Sequence, residues 1–392
     1  MTSIKAKLVK FSNMKINCVD PDSEWFVPRE DHTSCQTWDQ RIWVYGGRRN
    51  IEDKTHVMDD LMYFDSKTNR WYTGNTNGKF TPGARYGHVM FCYYNYLIIF
   101  GGLTSTGRLL GDLWVYDVTK EVWKLVIDNS NTVDLQAQGI EGIIPRERGY
   151  ASAVMLPIMG AGYMLGGKNR DGFACDLWAL KVDRVIQHIE DPKTVKLDNF
   201  WVKKQFEDEG SKQLCRFGHS TVEINNRKIL IYGGIDPQGN TLAAPLLYNV
   251  FTQELHVLSE YGNSRPPPRN KPAMVSPGNS FAIMYGGVDP KMRGYLTDLW
   301  HFKVTDEKII YEKVDHEFKG TSYMVSWRSG FTMEYLRDIN DPQLIGGTYG
   351  NNQQCQAIIS MPEIECSDKK QYDTSTCSPC PRGSIYNEEI KD

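Results

Sequence analysis

The sequence predicts an all-β fold in which small antiparallel sheets repeat around an axis. Three observations predict it. An apolar run ending in two glycines occurs six times, an Asp-Leu-aromatic run follows four of the copies, and a tryptophan follows in three. A repeat of this kind decides an architecture before any single residue does.

The glycine-ended runs are Ile42–Gly47, Leu97–Gly102, Tyr163–Gly167, Ile229–Gly234, Ala282–Gly287 and Leu344–Gly347. Their first glycines lie 55, 65, 67, 53 and 60 residues apart. The paired glycines suit sharp turns and close backbone approach. The Asp-Leu-aromatic strand recurs as Asp60–Tyr63, Asp112–Tyr116, Asp176–Trp178 and Asp298–Phe302, with a weaker copy at Leu246–Tyr248. Trp71, Trp123 and Trp201 follow on an outer strand, and Leu255 and Ile310-Tyr311 stand there in the fourth and fifth copies. A four-stranded sheet with two apolar faces is covered by stacking against its neighbours, and the tryptophan supplies bulk at the wide rim.

With these motifs the sequence resembles the kelch-repeat family over residues 25 to about 362. The resemblance implies a six-bladed β-propeller spanning residues 1–362. The sixth copy has Gly346-Gly347 and a strand near Gln356–Met361, but no tryptophan strand after it. Ser23–Val27, at the other end, is expected to complete the sixth blade and close the ring. The alternation over Ile4–Phe11 reads as a further half-buried strand.

Each copy opens with an arginine 16–18 residues before its first glycine: Arg29, Arg85, Arg148, Arg216, Arg269 and Arg328. A histidine follows in three, at His32, His88 and His219, where a packed strand residue is expected rather than a metal ligand. Blade geometry would place six guanidiniums around one mouth of the central channel, where they suit carboxylates or phosphates. Arginines at this position resemble those with which kelch proteins clasp acidic peptide segments. The competing reading is structural, with partners such as Glu30, Asp31 or Glu147. The long insertions Asp128–Pro145, Asp183–Gln213 and Lys303–Trp327 read as loops that carry variable surface. Arg265-Pro266-Pro267-Pro268-Arg269 reads as a stiff approach to the fifth blade rather than an SH3-type ligand.

No catalytic motif is present: no phosphate-cradling loop, no GxSxG elbow and no HExxH pair. The reading is therefore non-enzymatic, with no cofactor and no metal. Within the superfamily, a galactose-oxidase-like site would need pieces such as Cys215, His219, His88, Tyr86 and Tyr150, and the ligands of the iron-dependent specifier proteins are not evident. A formal net charge of -3 offers no field for nucleic acid. No run of about 18 apolar residues predicts membrane insertion.

Cys18, Cys35, Cys92, Cys175 and Cys215 are scattered, as small buried hydrophobes are. Cys355, Cys366, Cys377 and Cys380 crowd the tail. Cys377–Tyr386 resembles the opening of cysteine-rich modules of ephrin- and growth-factor-receptor-like ectodomains, so residues 363–392 are expected to begin a disulfide-stapled module of a longer protein. A zinc site on Cys377 and Cys380 with Cys366 and Cys355 is the alternative. The tail favours an extracellular or cell-surface protein. The odd cysteine count, the missing Asn-x-Ser/Thr acceptor and the missing signal segment favour the cytoplasm. The expected function is a scaffold that binds a protein partner through one propeller face. A subunit of a cytoskeletal or ciliary assembly and a carbohydrate-acting oxidase are the alternatives.

Overall fold

The computed structural model describes residues 14–18, 26–27, 29–51, 54–76, 80–128, 143–193, 199–206, 212–291, 294–314, 316–319, 328–336, 341–349, 352–353 and 357–360. The chain is an all-β propeller. Its described strands pair into four four-stranded and two five-stranded sheets, with four two-stranded ribbons beside them.

Sheet I contains Thr33–Gln36, Arg41–Tyr45, Leu61–Asp65 and Arg70–Thr73, from inner to outer strand. Sheet II contains Val89–Tyr93, Tyr96–Leu103, Leu109–Asp117 and Val122–Ile127. Sheet III contains Ser152–Leu156, Ala161–Leu165, Leu177–Lys181 and Trp201–Lys203. Sheet IV contains Phe217–Ile224, Lys228–Ile235, Leu246–Asn249 and Leu255–Val257. Sheet V runs through Ala273–Gly278, Phe281–Tyr285, Leu299–Val304 and Lys308–Val314 to Ser259–Tyr261. Sheet VI runs through Thr332–Leu336, Asp341–Ile345, Ala357–Ser360 and Met14–Cys18 to His316–Lys319.

The second strands of sheets I to V are buried on both faces, so they read as nearly continuous apolar runs and not alternations. Ile42, Trp43, Val44 and Tyr45 of sheet I are all core residues. The core accordingly lies in layers between sheets. Trp43, Tyr45 and Leu61 of sheet I pack with Met90, Leu97, Ile99, Trp114, Tyr116 and Trp123 of sheet II. Ile42, Val44, Met62, Phe64 and Trp71, on the other face of sheet I, pack with Leu336 and Ile345 of sheet VI. Trp71, Trp123 and Trp201 are buried on fourth strands, as expected.

Three expectations change. The closing strand is Met14–Cys18, antiparallel to Ala357–Ser360 with Ile16 opposite Ile359, while Phe26 and Val27 lie outside any strand. Phe26 instead stacks on Trp71, its ring centroid 4.4 Å away, so the aromatic signal at this point was packing and not pairing. The proposed strand at Ile4–Phe11 and the tail module at 363–392 lie outside the described residues.

The insertion after Asp183 opens with a helix, Val182–Glu190. Val182, Val185 and Ile189 share one face of it and join the core of sheets II and III. The described residues of the stretch from Lys303 are largely strand. Its last strand, His316–Lys319, pairs in parallel with Met14–Cys18 of sheet VI. Ser259–Tyr261 does the same to Lys308–Val314 of sheet V. In both cases the chain leaving one outer strand covers the outer edge of the next sheet, which would otherwise present unpaired backbone groups.

The scattered cysteines are the third change. Cys35 and Cys92, on the inner strands of sheets I and II, form a disulfide with Cα atoms 5.5 Å apart. Cys175 and Cys215 form another between sheets III and IV. Each bridge joins neighbouring sheets, a pairing set by how the repeats stack and not by sequence spacing.

Candidate functional site

The site expected from the sequence rests on six arginines. All six are buried, at 3% exposure or less. Nη1 of Arg29, Arg85, Arg148, Arg216, Arg269 and Arg328 donates to the carbonyl of the first glycine in its own sheet, at 2.9–3.1 Å. Four guanidiniums also grip an aspartate with both nitrogens: Arg29 on Asp60, Arg85 on Asp112, Arg148 on Asp176 and Arg269 on Asp298. These are the aspartates that open the Asp-Leu-aromatic strand. They come 27–31 residues after the arginine, and none of Glu30, Asp31 or Glu147 fills this place. The arginines expected at a basic mouth thus lie buried inside the sheets, all six bonded to a glycine carbonyl and four of them to a carboxylate as well.

The arginines also join sheet to sheet. The second glycine of each pair donates its N–H to the arginine carbonyl of the next sheet at 2.7–3.2 Å, and Gly347 completes the circle on Arg29. A Cβ on the first glycine would lie 3.1 Å or less from that same carbonyl oxygen, which explains the glycine there.

A second circle lies two residues beyond the arginines, at Asp31, Gly87, Tyr150, Gly218, Lys271 and Gly330. All six have left-handed backbones, with φ between 51° and 67°. Asp31 N–H donates to Gly330 O, Gly87 to Asp31, Tyr150 to Gly87, Gly218 to Tyr150 and Lys271 to Gly218, at 2.7–3.1 Å. Glycine alternates with a side-chain-bearing residue around this ring, and the three side chains meet. Lys271 Nζ donates to Asp31 Oδ1 at 2.5 Å, Tyr150 OH donates to Asp31 Oδ2 at 3.3 Å, and Lys271 lies 4.9 Å from the Tyr150 ring. Arg48 Nη2 lies 2.9 Å from Asp31 Oδ2 and covers the Tyr86 ring. Burial alone would raise the Asp31 carboxyl, but the Lys271 and Arg48 charges outweigh it and hold it below the usual range. Asp31, Lys271 and Tyr150 therefore form one bonded cluster on this circle, with Arg48 beside it. The signal was present in the alternation Asp, Gly, Tyr, Gly, Lys, Gly after each arginine, and was not read.

Burial holds His32, His88 and His219 neutral, the first at about 3. His88 Nε2 is 2.6 Å from Thr33 Oγ1 and His32 Nε2 is 3.0 Å from Thr332 Oγ1, so both tie neighbouring inner strands together. Cys215 of the galactose-oxidase-like set is committed to its disulfide with Cys175. Among the described residues no three or more His, Cys, Asp and Glu side chains gather to hold a metal.

Ser34 Oγ donates to Glu334 Oε1 at 2.6 Å between sheets I and VI. Burial pushes the Glu334 carboxyl up to about 7, against its ordinary 4.5, and the Ser34 bond offsets this only in part. From pH 4.5 to 7 the folded chain keeps a proton that the unfolded chain releases, so stability falls as pH rises through that window and levels above it. Glu334→Gln is expected to remove this slope. Its urea midpoint should exceed that of the unaltered chain at pH 8 and match it near pH 4.5.

The opposite end of sheets I to IV exposes several large apolar side chains. The turn between inner and second strands exposes Trp38 in sheet I, Tyr94 in sheet II, and Ile158 and Met159 in sheet III, with Trp38 70% and Ile158 74% exposed. Trp38 N–H donates to Tyr94 O, joining two of these turns. Phe251, in the outer turn of sheet IV, is also exposed. It closes a pocket of about 430 Å³ with Ile158, Met159, Asn225, Asn226, Arg227 and Lys228.

Comparison with known proteins agrees with this architecture. Residues 3–182 match the family described as the KLHDC2/KLHL20/DRC7 Kelch-repeats domain. Multiple epidermal growth factor-like domains protein 8 of Rattus norvegicus is 24% identical over 197 residues, covering 50% of this chain and 6% of the relative. Host cell factor 1 of Homo sapiens is 30% identical over 98 residues, covering 25% of this chain and 4% of the relative. Kelch-like protein 38 of Rattus norvegicus is 28% identical over 95 residues, covering 24% of this chain and 16% of the relative. The chain thus spans a small part of each of these relatives.

Proposed function

We propose that the chain is a non-catalytic, six-bladed kelch propeller that binds a protein partner over the face carrying Trp38, Tyr94, Ile158, Met159 and Phe251. The exposure of these side chains on the turns of sheets I to IV is the observation that carries the reading. Single exposed apolar residues are ordinary, but a run of large ones along adjacent turns of one face is typical of an interaction surface. Aromatic anchors beside a pocket are what interface hot spots require. Six blades, one per sheet, accord with the six-membered circle of arginine and glycine contacts. The six arginines at the other end are buried and bonded within their own sheets, which disfavours the expected clasp of an acidic segment by the whole arginine ring.

Two disulfides between sheets accord with an oxidising, extracellular setting for the propeller. The match to a relative named for epidermal growth factor-like domains accords with a multi-module protein.

The double variant Ile158→Glu with Phe251→Glu is expected to lower capture of a partner at least tenfold while Tm stays within about 1 °C, since both side chains are exposed. Capture should be read by quantitative pull-down against the unaltered chain. Equal capture by the folded variant would overturn the choice of face.

A further inference from the structure

The arginine sites repeat one arrangement, and the fourth has the register of the others without the aspartate that four of them hold. Its register is preserved. Arg269 N–H donates to Leu242 O as Arg85 donates to Met58 O and Arg148 to Leu110 O. Leu242 N–H donates to Gly234 O as Met58 N–H donates to Gly47 O. Two residues beyond Met58 and Leu110 stand Asp60 and Asp112, and two beyond Leu242 stands Ala244. The indole that shares the carboxylate in sheets II, III and V, donated by Trp114, Trp178 and Trp300, is replaced in sheet IV by Leu246. Arg216 therefore lacks, among the described residues, the aspartate that Arg29, Arg85, Arg148 and Arg269 grip.

Arg216 is as buried as the others, at 3% exposure. It keeps the Gly233 carbonyl at 3.1 Å and the Gln213 carbonyl at 2.9 Å, and among the described residues no carboxylate bonds to it. Asp236, the acid that acts on it electrostatically, accepts bonds from Asn240 N–H and Nδ2 within its own turn. Burial brings its guanidinium down to about 10, and the charge of Asp236 offsets this only in part. Ala244 is exposed to solvent, so the place held by an aspartate elsewhere is open from outside.

We propose that Arg216 is a binding site for a carboxylate supplied from outside the chain, seated over Ala244 where four other sheets hold their own aspartate. The other four pairs show the required geometry: a two-pronged contact on Nη1 and Nη2, shared with a glycine carbonyl. Acetate is the side chain that Ala244 lacks, and an acidic residue or a chain terminus of another protein carries the same group. The site lies at the end of the sheets opposite the apolar turns, so it stands or falls independently of the face proposed above.

The test is a thermal melt of the full chain with acetate added in place of chloride at constant ionic strength. The unaltered chain is expected to gain about 2–4 °C in a saturable manner. Ala244→Asp should carry that gain without acetate and respond to it no further. Ala244→Val, which fills the space without charge, should lose the response. A peptide with one glutamate and blocked ends that reaches the same shift at tenfold lower concentration than acetate assigns the site to a protein partner, and equal potency assigns it to small free carboxylates. No saturable shift in the unaltered chain, or the same shift in both variants, overturns the proposal.

Discussion

Asp112→Ala is expected to destabilise the propeller by about 3–5 kcal/mol, among the largest effects available to a single substitution. Arg85 Nη1 and Nη2 both bind this carboxylate at 2.8 Å, and Trp114 Nε1 donates to it at 2.7 Å. The arginine and aspartate side chains are 1% and 6% exposed, so water cannot replace the lost acceptor. Asp60→Ala, in the equivalent pair of sheet I, should lose less than half as much, because the Asp60 side chain is 37% exposed and Met62 stands where sheet II has Trp114. Urea midpoints at unchanged m-value would check both. Equal losses at the two sites would show that burial does not set the strength of the pair. Replacing Arg85 and Asp112 together by apolar residues should lose less than the sum of the single changes, since neither then leaves a buried charge alone.

Reduction of Cys35–Cys92 is the second large expected effect. The bridge closes 57 residues of chain, and the loop-entropy relation assigns it about 4 kcal/mol. Cys175–Cys215 closes 40 residues and is worth slightly less. The double variant Cys35→Ser with Cys92→Ser should therefore unfold at markedly lower urea than the unaltered chain under non-reducing conditions. Under strong reductant the two should converge. A variant as stable as the unaltered oxidised chain would mean that the bridge constrains nothing the sheets do not already hold.

The repeat was legible because both of its markers, paired glycines and an Asp-Leu-aromatic strand, answer to local geometry that only a few residues satisfy. Pairing across the repeat was harder to read. Arg85 and Asp112 each recur in the sequence, yet their contact joins the entry of the inner strand to the entry of the third, which spacing alone does not show. The same holds for Cys35 and Cys92, brought together by the stacking of sheets. Met14–Cys18 was missed in favour of the more aromatic Ser23–Val27, because apolar content marks packing as readily as strand pairing. The helix at Val182–Glu190 was absorbed into a loop, although Val182, Val185 and Ile189 carry a helical stripe. In the fourth sheet the weakness of the Leu246–Tyr248 copy was noted, but its meaning needed the structure, since a missing aspartate matters only once the arginine facing it is known to be buried.

The ring of left-handed residues has a consequence for how the chain reaches its native state. Asp31 N–H bonds to Gly330 O at 2.7 Å, joining residues from the first and last inner strands. Met14–Cys18 pairs with Ala357–Ser360 across a still longer stretch of chain. Such contacts raise the mean sequence separation of native neighbours, and folding slows as that separation grows. The five earlier sheets can form as local hairpins, each on the one before it, but the circle shuts only after the sixth has been synthesised. Until then sheet I and the growing end each present an uncovered apolar face, so the period of greatest exposure to aggregation is set by chain length and not by the stability of any one sheet.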